Sequence, residues 1–201
     1  KGRARSGEVG MTDFVFLHGG AQGGWVWAET IAAIADHSGG TMRALALDVP
    51  GCGEKRHRAT SALQMDDIAR ELAEEIVAAN LSDVTLIGHS QAGCLIPRII
   101  ALIPQTIRKT VLIACAAPLP GQSLPAQMGR GLHGSNANEV GWPHDPTTTP
   151  PRDLFHTMFC NDMTADQAET FLARIGPDKW PDCASTETHW FYDHLVDHPL
   201  T

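Results

Sequence analysis

Apolar residues along this chain alternate between two rhythms. Short continuous runs give way to segments in which apolar positions recur every three or four residues. The first run, FVFLH at 14–18, holds aromatic and β-branched side chains and is closed by glycines, which predicts a buried strand. A helix is expected over 25–37, stopped by Gly39 and Gly40. RALALD at 43–48 predicts the second strand, ended by VPGCG. Met65, Ile68, Leu72 and Ile76 then fall on one face of a helix. Ser61 and Gln64 have the spacing of a capping box just ahead of it. VTLIG at 84–88 predicts a third strand, and a helix after Ser90 leads to a fourth, KTVLIACAA at 109–117. Pro97 lies inside that helical pattern and is expected to kink it or shift its start. Strands alternating with helices predict an α/β fold whose mainly parallel sheet is flanked by helices.

From about Pro118 the texture changes to a stretch rich in Pro, Gly, Thr and Asn, without strand signals. Thr164 is expected to cap a helix over TADQAETFLARIG, with Gln167 at capping-box spacing and Gly176 at its end. This region reads as an inserted cap of loops and short helices. The expected organisation is a leader or appended stretch over 1–10, ahead of Met11; a core portion over 11–117; a cap over 118–195; and the start of a return to the core over 196–201.

Composition narrows the function classes. The 201 residues, 43% hydrophobic and 19% charged, describe a globular domain able to bury a sizeable core. A net charge of −8 with no basic run argues against nucleic acid as a partner. Five cysteines (Cys52, Cys94, Cys115, Cys160 and Cys183), odd in number and without a CxxC pair, fit reduced thiols in a cytoplasm better than a disulfide framework. No stretch approaches the roughly 20 apolar residues of a membrane helix, and the basic start lacks the apolar centre of a signal peptide. A cytoplasmic protein with no membrane partner is expected.

The chemistry-bearing residues sit in loops after predicted strands, the edge where open α/β sheets bind ligands. In GHSQAG, Ser90 occupies a sharp strand-to-helix turn flanked by Gly88, Ala92 and Gly93. Small residues at those spacings let a nucleophile elbow close tightly, and the following helix N-terminus favours negative charge there. In HGGAQGGWVW, His18 to Trp27, the glycines lack the Gly-Lys-Ser/Thr of a phosphate loop, and neither this loop nor the GCG of Gly51–Gly53 completes G-x-G-x-x-G. Its better reading is an oxyanion hole, in which the backbone N–H of Gly20 works beside that of Gln91. DVPGCG, from Asp48 to Gly53, reads as a turn leaving the sheet.

The order HGG…GGWVW, DVPGCG, GHSQAG and VLIACAAPLPGQS resembles the α/β-hydrolase superfamily, and within it the branch of plant methylesterases, hydroxynitrile lyases and their bacterial esterase relatives. The likeness covers residues 14 to about 123 well and the cap loosely, with Ala92 standing where glycine is usual. It implies an α/β-hydrolase fold, a cofactor-free enzyme roofed by its cap, Ser90 as nucleophile, and Gly20 and Gln91 as oxyanion donors. It also implies a catalytic Asp and His on core strands that follow the cap. No residue of this sequence matches those positions. The C-terminal core strands are therefore expected outside these 201 residues, on a second chain produced by cleavage or on a segment following Thr201. They should add two or more strands beside KTVLIACAA, of which HPLT is the approach.

Several histidines are candidates for the base. His89 flanks Ser90, but a neighbour in a strand-like elbow is expected to point away from it. His18 ends a strand beside the oxyanion loop, a structural position by the resemblance. His194 and His198 lie one helical turn apart beside Asp193 and Asp197, a conceivable metal pair, yet such clusters are usually solvated and no metal is expected. Cys94 and Cys115 read as small core hydrophobes. The cap concentrates Trp142, Phe155, Met158, Phe159, Met163, Phe171, Trp180, Trp190 and Phe191, mostly as its own core. Those facing Ser90 would form an apolar wall for an uncharged ester. The expected activity is a serine esterase of small apolar carboxylic esters, working through an acyl-enzyme. The alternatives are a hydroxynitrile lyase or a non-catalytic ligand-binding α/β-hydrolase fold. In the lyases, the resemblance implies, a threonine at the position of Gly19 holds the cyanohydrin oxygen; Gly19 has no side chain for that role.

Overall fold

The computed structural model describes residues 12–128 and 148–201, so Trp142 and residues 1–10 lie outside the described residues. Four strands, β1 (Thr12–Leu17), β2 (Met42–Leu47), β3 (Val84–His89) and β4 (Ile107–Ile113), form one parallel sheet in the order β2-β1-β3-β4. The helices between them are α1 (Ala28–His37), α2 (Met65–Ala78) and α3 (Ile96–Leu102); α4 (Leu124–Met128), α5 (Pro151–Phe159), α6 (Ala165–Leu172) and α7 (Cys183–Thr186) follow β4.

Side chains alternate across a strand, and β1 shows how this sorts the core. Val15 and Leu17 face the main cluster with Leu86, the fully buried Met65, Ile68, Leu72 and Ile76 of α2, and Ile96 and Ile99 of α3. Phe16 faces the other side, with Trp27 and Ile87, against the half-buried Ile31 and Ile34 of α1. Each fully buried aliphatic side chain of this kind contributes about 1.5–3 kcal/mol.

Several boundaries differ from the sequence expectation. The helix expected from residue 25 begins as a 3-10 turn, Gly24–Trp27, before α1. The N-cap of α2 is Gln64, whose N–H donates to Asp67 (3.1 Å), so the capping pair lies three residues beyond Ser61 and Gln64. Ser90–Cys94 is a 3-10 turn, and Pro97 falls in the first turn of α3, where its missing N–H costs nothing; it shifts the helix start and does not kink it. β4 starts two residues early and ends at Ile113, because Ala114 turns to φ +46°. Thr164 and Gln167 do cap α6, the Thr164 N–H donating to Gln167 Oε1 at 2.9 Å.

After β4 the described residues form short helices and turns. Ala21, Trp25, Phe155, Phe159, Met163 and Phe171 pack around Cys160, Ala168, Leu172 and Ile175 in a small cluster of their own. Trp180 and Trp190 do not join it. Both belong to the main core, at 5% and 7% exposure, so they anchor the 176–192 stretch onto the sheet domain. The segment HPLT lies along the outer edge of β4. Thr110 N–H donates to Pro199 O, Thr201 N–H to Thr110 O, and Leu112 N–H to Thr201 O, at 2.8–3.0 Å, giving a parallel bridge between Thr110 and Leu200.

Candidate active site

The three loops leave the same edge of the sheet, after β1, β2 and β3. β3 delivers Ser90 at φ +53°, a left-handed conformation that costs a serine about 1–3 kcal/mol. The surroundings show why the elbow needs small residues. A methyl added at Gly88 would fall 2.3 Å from Ile96 Cδ1 and 3.0 Å from Ala92 Cβ; one at Gly93 would fall 2.1 Å from Ala116 O. Ala92 is fully buried, and the Ala116 N–H donates to Ser90 O at 2.8 Å, tying the elbow to the segment that leaves β4.

The glycine loop after β1 lies against this elbow. A methyl at Gly19 would meet Ser90 Cβ and His89 Nδ1 at 3.0 Å, and one at Gly20 would meet Gln91 Oε1 at 2.7 Å. The fold thus brings Gly20, Ser90 and Gln91 together. The Gly19 N–H is taken by Gln22 Oε1 (3.3 Å), whereas the Gly20 N–H has no acceptor among the described residues. Gln91 lies in the first turn of its 3-10 helix, where N–H groups have no intrahelical acceptor. Two free N–H groups beside a serine in a strained turn can stabilise a developing oxyanion.

His18 is fully buried and both ring nitrogens are engaged. Nε2 accepts from Val49 N–H (3.2 Å), which places the proton on Nδ1, and Nδ1 donates to Gly19 O (2.8 Å). Burial pushes its pKa down, only partly opposed by the Gly19 bond, so the ring is neutral and structural. His89 does not point wholly away: its Nδ1 borders Gly19 next to Ser90 Cβ, and burial lowers its pKa. Neither ring hydrogen-bonds Ser90, and among the described residues no side chain does. His194 and His198 are committed to separate partners, Pro97 O and Thr110 Oγ1, each at 2.9 Å. No group of metal-ligating side chains occurs among the described residues. Cys94 is buried, and burial pushes its thiol up to about 12.

Two carboxylates brace the loops. Asp48, read from sequence as part of a simple turn, accepts from Gly24 N–H (2.6 Å) and Glu54 N–H (2.9 Å), joining the end of the glycine loop after β1 to the loop after β2. Asp178, 2% exposed, accepts from Trp25 Nε1 (3.3 Å) and Arg56 Nε (2.5 Å). Burial alone would raise the Asp178 carboxyl, but the bonds from Arg56 and Trp25 outweigh it and hold it below the usual carboxylate range. No local pattern in PDKW marks Asp178 as buried, so sequence reasoning missed it. A cleft of about 450 Å³ opens between α1 and α6, lined by Trp25, Met163 and Phe171 among others; Ser90 is not among its walls.

Comparison with known proteins matches residues 14–199 to the profile of the alpha/beta hydrolase family. The chain is 32% identical to a carbendazim hydrolyzing esterase of Nocardioides over 124 residues, which are 61% of this chain and 49% of that protein. It is 30% identical to the probable esterase PIR7A of rice (Oryza sativa) over 120 residues, 58% of this chain and 44% of that one. The chain thus spans about half the length of these curated relatives. Among solved structures it is similar to an extracellular alpha/beta-hydrolase from a Paenibacillus species (TM-score 0.70, 21% identity, 94% of this chain and 76% of that one). It is also similar to polyneuridine aldehyde esterase (TM-score 0.66, 18% identity, 94% and 78%). At these identities the structures speak for the α/β-hydrolase fold alone.

Proposed function

Because this chain belongs to the alpha/beta hydrolase family, we propose that it carries the nucleophile of a serine esterase acting on small apolar carboxylic esters. The observation that carries the reading is Ser90 at φ +53°, in an elbow whose neighbour loop offers an unengaged Gly20 N–H. Relatives named as esterases support the reaction class. Ser90 Oγ bonds to the ester carbonyl carbon as its proton passes to a base. The carbonyl oxygen takes the negative charge between the Gly20 and Gln91 N–H groups. The alcohol leaves with the proton, and water then releases the acid from the acyl-serine.

The base, in this proposal, is an imidazole oriented by an aspartate on a segment of the same protein beyond Thr201, added beside HPLT. Supporting this are the absence of any side-chain partner for Ser90 among the described residues and the parallel pairing already begun at Leu200. Leu112, Ile113 and Leu200, 37–43% exposed, mark the apolar surface that such strands would cover. The reading includes no cofactor and no nucleic-acid partner. No helix among the described residues is long and apolar enough to cross a membrane, and the five cysteines are all unpaired, which supports a reducing cytoplasm as its compartment.

The test is hydrolysis of p-nitrophenyl acetate by the full-length protein and its S90A variant. The alanine variant should be inactive; undiminished hydrolysis removes Ser90 from the mechanism. Gly19, with no hydroxyl to hold a cyanohydrin, favours the esterase over a hydroxynitrile lyase, so mandelonitrile should release no cyanide.

A further inference from the structure

The Gly19–Gly20 peptide is held from its carbonyl side by a residue far away in sequence. Gly19 O accepts two hydrogen bonds, one from His18 Nδ1 (2.8 Å) and one from the buried indole Nε1 of Trp180 (3.1 Å), 161 residues along the chain. In a planar trans peptide, the C=O of one residue and the N–H of the next point in opposite directions. Fixing the Gly19 carbonyl therefore fixes the heading of the Gly20 N–H. That N–H has no acceptor of its own among the described residues to orient it. The loop also needs holding: the next residue, Ala21, sits at φ +58°, strained for a residue with a side chain, and its carbonyl accepts from Gly176 N–H at 3.2 Å. Trp180 is itself seated edge-on against His18, with ring centroids 6.0 Å apart at 86°, so the two donors converge on one oxygen as a packed pair.

We propose that Trp180 is a positioning residue for the oxyanion site, holding the Gly19 carbonyl so that the Gly20 N–H faces the substrate oxygen. The inference rests on the esterase reading above and adds to it the part played by the 176–180 stretch. Trp180 touches no reacting atom. It acts on geometry that matters only when negative charge develops, so its loss should lower kcat and leave KM unchanged.

The test compares W180F with W190F in the full-length protein. Phenylalanine at 180 keeps an aromatic ring near His18 and removes the indole N–H together with the pyrrole part of the ring; W190F removes the same atoms, so the comparison cancels the loss of ring volume. Trp190 is the control, because its buried Nε1 also donates to a backbone carbonyl, that of Gln122 at 2.7 Å, away from the oxyanion loop. W180F should lose about 10-fold or more in kcat, part of the 10²–10³ that removing a whole donor costs, with KM unchanged. W190F should lose stability without losing kcat. Equal kcat for W180F and the parent overturns the inference, as does an equal kcat loss in both variants. A parent protein without Ser90-dependent hydrolysis would strike the esterase reading instead. The amide chemical shift of Gly20 then decides the positioning: W180F should move it and W190F should not, and an unmoved Gly20 resonance overturns the proposal.

Discussion

Replacing Gly93 by alanine tests the elbow by steric means alone. The added methyl would sit 2.1 Å from Ala116 O, 3.1 Å from Ala116 C and 3.0 Å from Cys115 Cβ. The first two are backbone atoms, so no side-chain rotation can relieve the clash. The segment leaving β4 has to move off the elbow, and the Ala116-to-Ser90 hydrogen bond goes with it. Overpacking of this kind costs about 1–3 kcal/mol. The lost backbone bond adds about 0.5–1.5 kcal/mol. A total near 3 kcal/mol corresponds to a fall in Tm of roughly 6–12 °C for a protein of this size. Ser90 is the other end of the broken bond, so a shift of about 1 Å in its position should also lower ester hydrolysis by up to about 100-fold. Urea or thermal unfolding followed by circular dichroism gives the first number, and p-nitrophenyl acetate the second. A G93A protein melting within about 2 °C of its parent and hydrolysing at the parent rate refutes the close approach.

Three further outcomes follow from the packing and the charges. Ile68→Ala, at a fully buried position on α2, should cost about 2–5 kcal/mol in urea unfolding; a cost below about 1 kcal/mol would contradict the assigned core. Stability should be full above the unfolded histidine pKa of about 6.5 and fall as the pH drops below it. Burial lowers the folded pKa of His18, His89 and His198, so the unfolded chain takes up protons first; a urea midpoint unchanged from pH 7 to pH 5 would contradict this. Asp13 and Asp178, held below their ordinary values by arginine and other hydrogen bonds that outweigh burial, add a second loss as the pH falls below about 3.9; Asp178→Asn should flatten that part of the profile, and an unchanged slope would oppose it.

What could be read from the sequence was local. The apolar run of β1 and the three-and-four spacing of Met65, Ile68, Leu72 and Ile76 are written in neighbouring residues, and both match the fold. The elbow was legible because its small residues at 88, 92 and 93 stand together around Ser90, although the atoms that crowd 88 and 93 come largely from Ile96, Cys115 and Ala116, outside that stretch. The end of β4 was not legible. KTVLIACAA is apolar throughout, and only the turn at Ala114, which sends Cys115 and Ala116 back against Gly93, ends the strand. Sequence alone groups Trp180 and Trp190 with the expected cap, because their neighbours in sequence fall there; their packing partners are in the main core. The bond from Trp180 to Gly19 spans 161 residues, a separation at which no periodicity carries information. The same holds for Asp178, whose partners Trp25 and Arg56 are 153 and 122 residues away.

Covalent labelling is the sharpest test of the proposed activation of Ser90 as a nucleophile. The full-length protein would be treated with a fluorophosphonate at neutral pH, digested, and mapped by mass spectrometry. A single adduct is expected on the peptide containing Ser90, lost in S90A and slowed as the pH falls through the titration of an imidazole base. An adduct on any other residue, or an unlabelled Ser90 in a protein that still hydrolyses p-nitrophenyl acetate, would contradict it.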